Sequence, residues 1–420
     1  MKNKMIKMII ISIMMAVFIT GCGTTGNTLT GQVSETNMTL NSEATDNNDS
    51  SINSSEQIKI SDETSVLPEY DEDEAITIDL SDYSDIAEIS EPGTYIITGE
   101  LSDGSLLING GEDDEIQLIL RDVTITSDDS APIYIKSASQ VYITVEGENI
   151  LENTGVFNPD EEEEIDGVIY SKTDLMIGGS GTLAISSSAK GIVCKDSLEI
   201  SGGTYMITAT DDGINTNDML TVSGGTFTIE AGDDGLHTDG YMGINGGTID
   251  ITAAEGLEAT YIMINNGDIN ITATDDGINA AAKSDDYTPT VEINGGNITI
   301  VMGQGDTDGI DSNGNIIING GTIDITGQSA YDYDGYAELN GGTLIVNGEE
   351  IDTIENQFGG QMPGGQMGEF PGGNGFEGNK PMGEAPGEPM DGTGPAGGMG
   401  PGGPGQSEQE FMGPGSQDDV

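Results

Sequence analysis

Acidic residues recur at one kind of place in this chain, immediately before a glycine. The phrases are Asp211-Asp212-Gly213, Asp233-Asp234-Gly235, Glu255-Gly256, Asp275-Asp276-Gly277, Asp308-Gly309 and Asp334-Gly335. Two residues past the glycine stand Asn215, His237, Glu258, Asn279 and Asp311, mostly oxygen-bearing. Asp-Gly is good turn chemistry by itself, and that accounts for one acid per turn. Paired acids on neighbouring layers are costly. At about 5 Å two carboxylates repel by roughly 1 kcal/mol in water, and by several times that at an effective dielectric near 20. A divalent cation removes this cost. Ca²⁺ takes about six to eight oxygens at about 2.3–2.6 Å, so carboxylates on adjacent layers can straddle one ion. A single His and a single Cys in this region leave zinc without its usual ligands. The expected Ca²⁺ ligands are Asp211, Asp212, Asp233, Asp234, Glu255, Asp275, Asp276, Asp308 and Asp311.

A second set of positions is aromatic. Aligned residues read Met219, Tyr241, Tyr261, Thr290, Asn315 and Tyr336, which puts Tyr241 and Tyr261 on consecutive layers. An exposed pair of phenols suits packing against sugar rings, with hydroxyls and nearby polar groups bonding the sugar edges. Tyr241, Tyr261, His237 and Asp239 are therefore the expected carbohydrate-binding residues. Stacked aromatics also stabilise a solenoid surface without binding anything.

These residues are positioned by a repeat. Ser201-Gly-Gly-Thr, Ser223-Gly-Gly-Thr, Asn245-Gly-Gly-Thr, Asn265-Asn-Gly-Asp, Asn294-Gly-Gly-Asn, Asn319-Gly-Gly-Thr and Asn340-Gly-Gly-Thr step by 22, 22, 20, 29, 25 and 21 residues. A period of about 20–25 residues marks a solenoid. After the glycines, apolar residues alternate with polar ones, as in Tyr205/Ile207/Ala209, Phe227/Ile229/Ala231 and Ile249/Ile251/Ala253. Period two is a strand signature. A short strand follows each acidic turn, and a third precedes the next Gly-Gly with inward pairs such as Leu220/Val222 and Met242/Ile244. The expected fold is all-β, a right-handed single-stranded parallel β-helix with three strands per coil. The corner residues Asn245, Asn265, Asn294, Asn319 and Asn340 should form an amide ladder at the strand spacing of about 4.8 Å. From Ile76 to Leu175 the same alternation is less regular, with a loop from Val156 to Glu164 that contains the solvated acidic run Asp160–Glu164.

Composition bounds the partners. Of 420 residues, 74 are acidic and 11 are Lys or Arg, a net charge of −63. Lys2, Lys4 and Lys7 precede an apolar run, Met8 to Ile19, that ends Ile19-Thr20-Gly21-Cys22. This pattern is that of a bacterial lipoprotein signal over residues 1–21, with Cys22 lipidated and the protein held on the extracellular face of the cell membrane. Without that segment eight cations face 74 acids, about −66, which repels phosphate backbones and excludes nucleic acid. Residues 22–72 read as a Ser/Thr/Asn-rich disordered linker and 351–420 as a disordered Gly/Pro/Met-rich tail, which leaves 73–350 for the β-helix. Cys194 has no cysteine partner and sits at an apolar position, as a buried small hydrophobe does.

The stretch from Ile76 to Ala282 resembles a bacterial carbohydrate-binding β-helix family of calcium-containing, pectin- and cellulose-binding surface proteins. The specific phrases are Glu91-Pro-Gly-Thr-Tyr-Ile-Ile-Thr-Gly-Glu-Leu-Ser-Asp-Gly104, Gln117-Leu-Ile-Leu-Arg-Asp-Val-Thr-Ile-Thr126 and Ala131-Pro-Ile-Tyr-Ile-Lys136. Asp166-Gly-Val-Ile-Tyr-Ser-Lys-Thr-Asp-Leu175 and Lys190-Gly-Ile-Val-Cys-Lys-Asp-Ser-Leu198 continue it. The resemblance implies a right-handed parallel β-helix, calcium at Asp-Gly corners, and binding of acidic plant polysaccharide without cleavage. The single acid at Glu255 departs from the paired pattern. The expected function is a monomeric cell-surface lipoprotein that binds polysaccharide, polyuronate or glucan, through a calcium-containing domain. Two alternatives stand beside it. One is a calcium-dependent polysaccharide lyase, for which Lys283 is the candidate base. The other is an adhesion or structural protein with no glycan site.

Overall fold

The computed structural model describes residues 66–157, 165–305 and 307–356. The signal, Cys22, most of the linker, the acidic run Asp160–Glu164 and nearly all of the tail lie outside the described residues. The chain divides at Thr64/Ser65, and every described residue belongs to the second unit.

That unit is a parallel β-solenoid of about 12 turns, running from Ile76–Asp79 to Glu349–Ile351. Its one helical element among the described residues is a 3₁₀ turn at Leu80–Asp82. The alternating pattern decides the register. Tyr205, Phe227, Ile249, Ile269 and Ile298 pair in turn on successive coils, and all are buried. Thr204, Thr226, Thr248, Asp268 and Asn297 pair likewise, with their side chains outside. A one-residue slip would expose the whole apolar set, so period-two burial holds every coil in register. Inside, Tyr205 and Phe227 stack at 4.8 Å with planes 12° apart. Cys194 is a free, fully buried thiol.

Two corner devices match the sequence. The second glycine of each Gly-Gly pair takes a left-handed φ, +101° at Gly203, +110° at Gly225 and +103° at Gly247, which side chains rarely adopt. The amide ladder forms as expected. Asn265 donates to Asn245 at 2.8 Å, Asn294 to Asn265 at 2.9 Å, Asn319 to Asn294 at 2.8 Å and Asn340 to Asn319 at 2.9 Å.

Two details depart from three separate strands per coil and from a linker reaching residue 72. At Asp234–Ile244 and Glu255–Ile264 the second and third strands run on as one, with a register shift between Thr238 and Tyr241. The anchored chain also begins before Asp73. The Pro68 carbonyl accepts from Gln117 Nε2 at 2.7 Å, and Arg121 binds Tyr70 Oη at 2.9 Å and Glu72 at 2.7 Å. At the far end, Thr343–Val346 pairs antiparallel with Glu349–Ile351, a hairpin that covers an otherwise open strand edge.

The acidic turns pack glycine on glycine. A Cβ on Gly256 would lie 2.4 Å from the Gly277 carbonyl oxygen and 2.5 Å from Ile271 Cγ2. Backbone cannot yield as a flexible side chain can, so Gly256→Ala should cost about 2–4 kcal/mol. Urea unfolding of the two proteins measures it; a loss under about 0.5 kcal/mol would mean that the coils are not in this close contact.

Candidate functional site: an acidic corner and a tyrosine cluster

The stacked glycines place their neighbours in two outward columns. The first runs Asp212, Asp234, Glu255, Asp276 and Asp308, each directly before its glycine. The second, on the short strands beyond the glycines, runs Asn215, His237, Glu258, Asn279, Asp311 and Asp332. The predicted metal ligands are therefore stacked as the spacing implies. Their surroundings differ from what the acids alone suggest, because half of the column already has cations.

At the first corner, Lys190 Nζ lies 2.5 Å from Asp212 Oδ2 and 3.2 Å from Asp211 Oδ1. Asn215 donates to the same Asp212 oxygen at 2.7 Å. One coil on, His237 Nδ1 lies 2.7 Å from Asp234 Oδ2 and 2.8 Å from Glu258 Oε2, while Lys283 Nζ meets Glu258 Oε1 at 2.8 Å. The His237 side chain is 11% exposed. Burial alone would lower its pKa, but hydrogen bonds to Asp234 and Glu258 outweigh this and hold it at about 10, so the ring is an imidazolium at neutral pH. Burial pushes Glu258 up, yet hydrogen bonds from His237 and Lys283 win and carry it below the usual carboxylate range. Glu255 accepts from the Asn279 amide at 3.0 Å, and burial with the charges of Glu258 and Asp234 raises it to about 8. It is thus largely neutral.

The other half is arranged differently. Asp275, Asp276, Asp308, Asp311, Asp332 and Asp334 line a hollow of about 310 Å³ together with Ser312 and Asn313, and no basic side chain lines it among the described residues. Burial, then Asp275, Asp308 and Asp332, raises Asp276 to about 6 in spite of a backbone hydrogen bond from Asp308. Burial, then Asp276, Asp332 and Asp308, raises Asp311 to about 7. Asn279 lies between Glu258 and Asp311 in its column, and its buried Oδ1 has no hydrogen-bond partner. Carboxylates are the kind of oxygen donor that Ca²⁺ takes. The expected ligands thus fall into two groups. Asp275, Asp276, Asp308 and Asp311 line one hollow, whereas Asp211 and Asp212 meet Lys190, Asp234 meets His237 and Glu255 is largely neutral. Asp233 lies within 4.8 Å of Asp211 and Asp212 and shares their lysine's field.

The carbohydrate-binding expectations need correction. Tyr241 and Tyr261 do stand side by side, rings 5.9 Å apart and 30° from parallel. They are not an exposed pair, since Tyr241 is 4% exposed. Its ring lies over Gly243, where a Cβ would come within 2.9 Å of it. Tyr287, from the insertion after Ala281, packs 6.3 Å from both rings, and Tyr261 donates its hydroxyl to Glu292. Tyr261 and Tyr287 are thus the more accessible members of a three-ring wall. His237 meets acids at both ring nitrogens, with Asp234 and Glu258 at Nδ1 and Asp239 facing Nε2 at 3.4 Å. Asp239 remains half-exposed. Lys283 and Tyr287 come from an insertion with no counterpart in the other coils, so no repeat alignment gives them a place. Lys190 had a signal: Lys190-Gly191-Ile192 is Asp212-Gly213-Ile214 with the acid replaced.

A family described as carbohydrate-binding domain-containing protein matches residues 84–261 and 244–357. The chain belongs to this family. A relative of that name from Acetivibrio thermocellus is 35% identical over 120 residues, which covers 27% of this chain and 42% of the relative. The match therefore spans less than half of that relative's length. A solved structure of the polysaccharide lyase-like protein from C. thermocellum, a gadolinium derivative, is 24% identical with a TM-score of 0.41, covering 65% of this chain and 96% of that one.

The raised acids of the hollow carry a pH signature. A carboxyl whose folded pKa lies above its unfolded value stabilises the fold fully below the unfolded pKa, about 4, and loses that contribution as pH rises through the folded one. For Asp276 and Asp311 that window ends near 6 and 7. In chelator, the melting temperature should fall by several degrees between about pH 5 and pH 8, and the fall should shrink in Asp276→Asn/Asp311→Asn. A melt that climbs over this range, or an undiminished fall in the variant, would remove the hollow as a source of uncompensated charge.

Proposed function

We propose that this protein binds polysaccharide on the cell surface, anchored through lipidated Cys22, and does not cleave it. The observation that carries the reading is the tyrosine wall, in which Tyr241 and Tyr261 stack at 5.9 Å and Tyr287 packs 6.3 Å from both rings. The acidic hollow lies on the coils that follow. Aromatic faces cover the apolar faces of sugar rings, and the surrounding carboxylates accept from ring hydroxyls. Tyr261 and Tyr287 supply the platform, with Asp239 and Glu292 at its margins.

An acidic glycan such as polygalacturonate would be repelled by a chain of net charge −63 unless a cation intervenes. Asp275, Asp276, Asp308 and Asp311 would hold Ca²⁺, which supplies a positive charge for uronate carboxylates. The carboxylate-rich lining of the hollow supports this assignment.

The lyase alternative needs a neutral amine as base. Lys283 is committed to Glu258 at 2.8 Å. Burial alone would lower its pKa, but Glu258 raises it above the ordinary value, the opposite of what a base requires. The geometry therefore favours binding.

Titration calorimetry with a soluble glucan and with polygalacturonate, in Ca²⁺ and in EDTA, tests these assignments. Tyr261→Ala/Tyr287→Ala should weaken glucan binding about tenfold, roughly 1.4 kcal/mol, with little effect on uronate. EDTA, or Asp276→Asn/Asp311→Asn, should abolish uronate binding and spare glucan. Glucan affinity that ignores both tyrosines would remove the platform, and equal uronate binding with and without chelator would remove the cation bridge. Unsaturated product accumulating in the ultraviolet, and lost in Lys283→Ala, would replace binding with elimination.

A further inference from the structure

The resemblance implies calcium at Asp-Gly corners, and the side chains at the corners of Asp212 and Asp234 disagree with that. Gly191, Gly213, Gly235, Gly256, Gly277 and Gly309 stack so closely that a Cβ on each of the first five would meet the next glycine's carbonyl oxygen within 2.7 Å. The residue before each glycine therefore occupies equivalent space. In that column Lys190 stands where the later coils carry Asp212, Asp234, Glu255, Asp276 and Asp308. Its ammonium reaches one coil on and meets both Asp211 and Asp212. In the neighbouring column, His237 stands where other coils carry Asn215, Glu258, Asn279 and Asp311, and it bridges Asp234 to Glu258. Lys283 closes the free side of Glu258 from outside the repeat.

We propose that Lys190, His237 and Lys283 are built-in counter-ions standing where divalent cations would sit, so that the corners from Asp211 to Glu258 exclude metal. The acids there come close enough to share an ion: Asp211, Asp212 and Asp233 offer oxygens all within 4.8 Å of one another, as do Asp234, Glu255 and Glu258. What keeps an ion out is the positive charge already there. A cation entering either cluster must displace the Lys190 or Lys283 ammonium or the hydrogen-bonded His237 ring from the oxygens it needs, or sit beside an ammonium at like-charge contact distance. The tethered groups require no recruitment from solution, so this part of the solenoid is partly neutralised at any calcium level, whereas a bound ion stabilises only by mass action. A metal-indifferent half and an uncompensated half result, with Glu255 and Asn279 at the boundary.

The test isolates the first half by working in full-length Asp276→Asn/Asp311→Asn, in which the hollow has lost two carboxylates. This separates the inference from the proposed calcium bridge, which concerns the hollow alone. In that background, thermal melts in EDTA and in millimolar Ca²⁺ should coincide, and Tb³⁺ should show no saturable sensitised luminescence from nearby tyrosines. Adding Lys190→Gln should lower the melting temperature in EDTA and make Ca²⁺ raise it by several degrees, with a saturable Tb³⁺ signal, because the acids of the first corner are then free. Lys190→Arg keeps the charge and should stay indifferent to calcium, which guards against a fold damaged by any change at the site. A calcium response in the Asp276→Asn/Asp311→Asn background that disappears with Asp212→Asn/Asp234→Asn would overturn the proposal. So would a folded Lys190→Gln protein that gains neither Tb³⁺ binding nor a calcium-dependent melt.

Discussion

A parallel coil that repeats its sequence must also repeat its charges. Register places equivalent residues about one strand spacing apart, roughly 4.8 Å, on every coil. For apolar residues this is the source of stability, since Tyr205 lands on Phe227 and each inward isoleucine on the next. For Asp-Gly corners it is a liability, because the same register brings carboxylates together. Asparagine resolves the problem at the Gly-Gly corner, where each amide donates to one neighbour and accepts from another, and no charge is involved. A column of aspartates has no such solution within itself. The arrangement of the outer surface then depends on how that column is neutralised.

The chain uses two answers along one axis. Towards the N-terminal side, single departures from the repeat bring in cations: a lysine where an acid is expected, a histidine where an amide or acid is expected, and a lysine on an inserted loop. Towards the C-terminal side the departures stop, and six aspartates face one hollow. Burial and mutual repulsion push Asp276 and Asp311 towards neutral pH, and this is the electrostatic condition under which a doubly charged ion gains most. The insertion that delivers Lys283 also delivers Tyr287, so one loop both completes the counter-ion set and builds the third side of the tyrosine wall.

Much of this was legible without coordinates. The Gly-Gly period, the alternation of Ile249/Ile251/Ala253 and its kin, and the recurrence of Asn at one corner are local patterns, and a parallel stack turns local pattern into global register. The solenoid, the buried Cys194, the amide ladder and the adjacency of Tyr241 to Tyr261 follow from counting along the chain. The replacement of Asp by Lys190 was equally readable, because Lys190-Gly191-Ile192 keeps the phrase and changes one residue type.

Tertiary structure decided what counting cannot. Whether Tyr241 is exposed depends on Tyr287, which lies 46 residues on in a loop outside the repeat and packs back over the ring. Whether His237 can meet a sugar depends on Glu258 from the next coil and on the depth at which both sit. Whether an acid needs a foreign cation depends on how far a lysine of the preceding coil, or of an insertion, can reach. Sequence period determined which residues share a column, because backbone hydrogen bonding between coils is regular. Side-chain reach, burial and the path of one irregular loop determined which charges those residues meet, because these are distances between segments that no repeat relates.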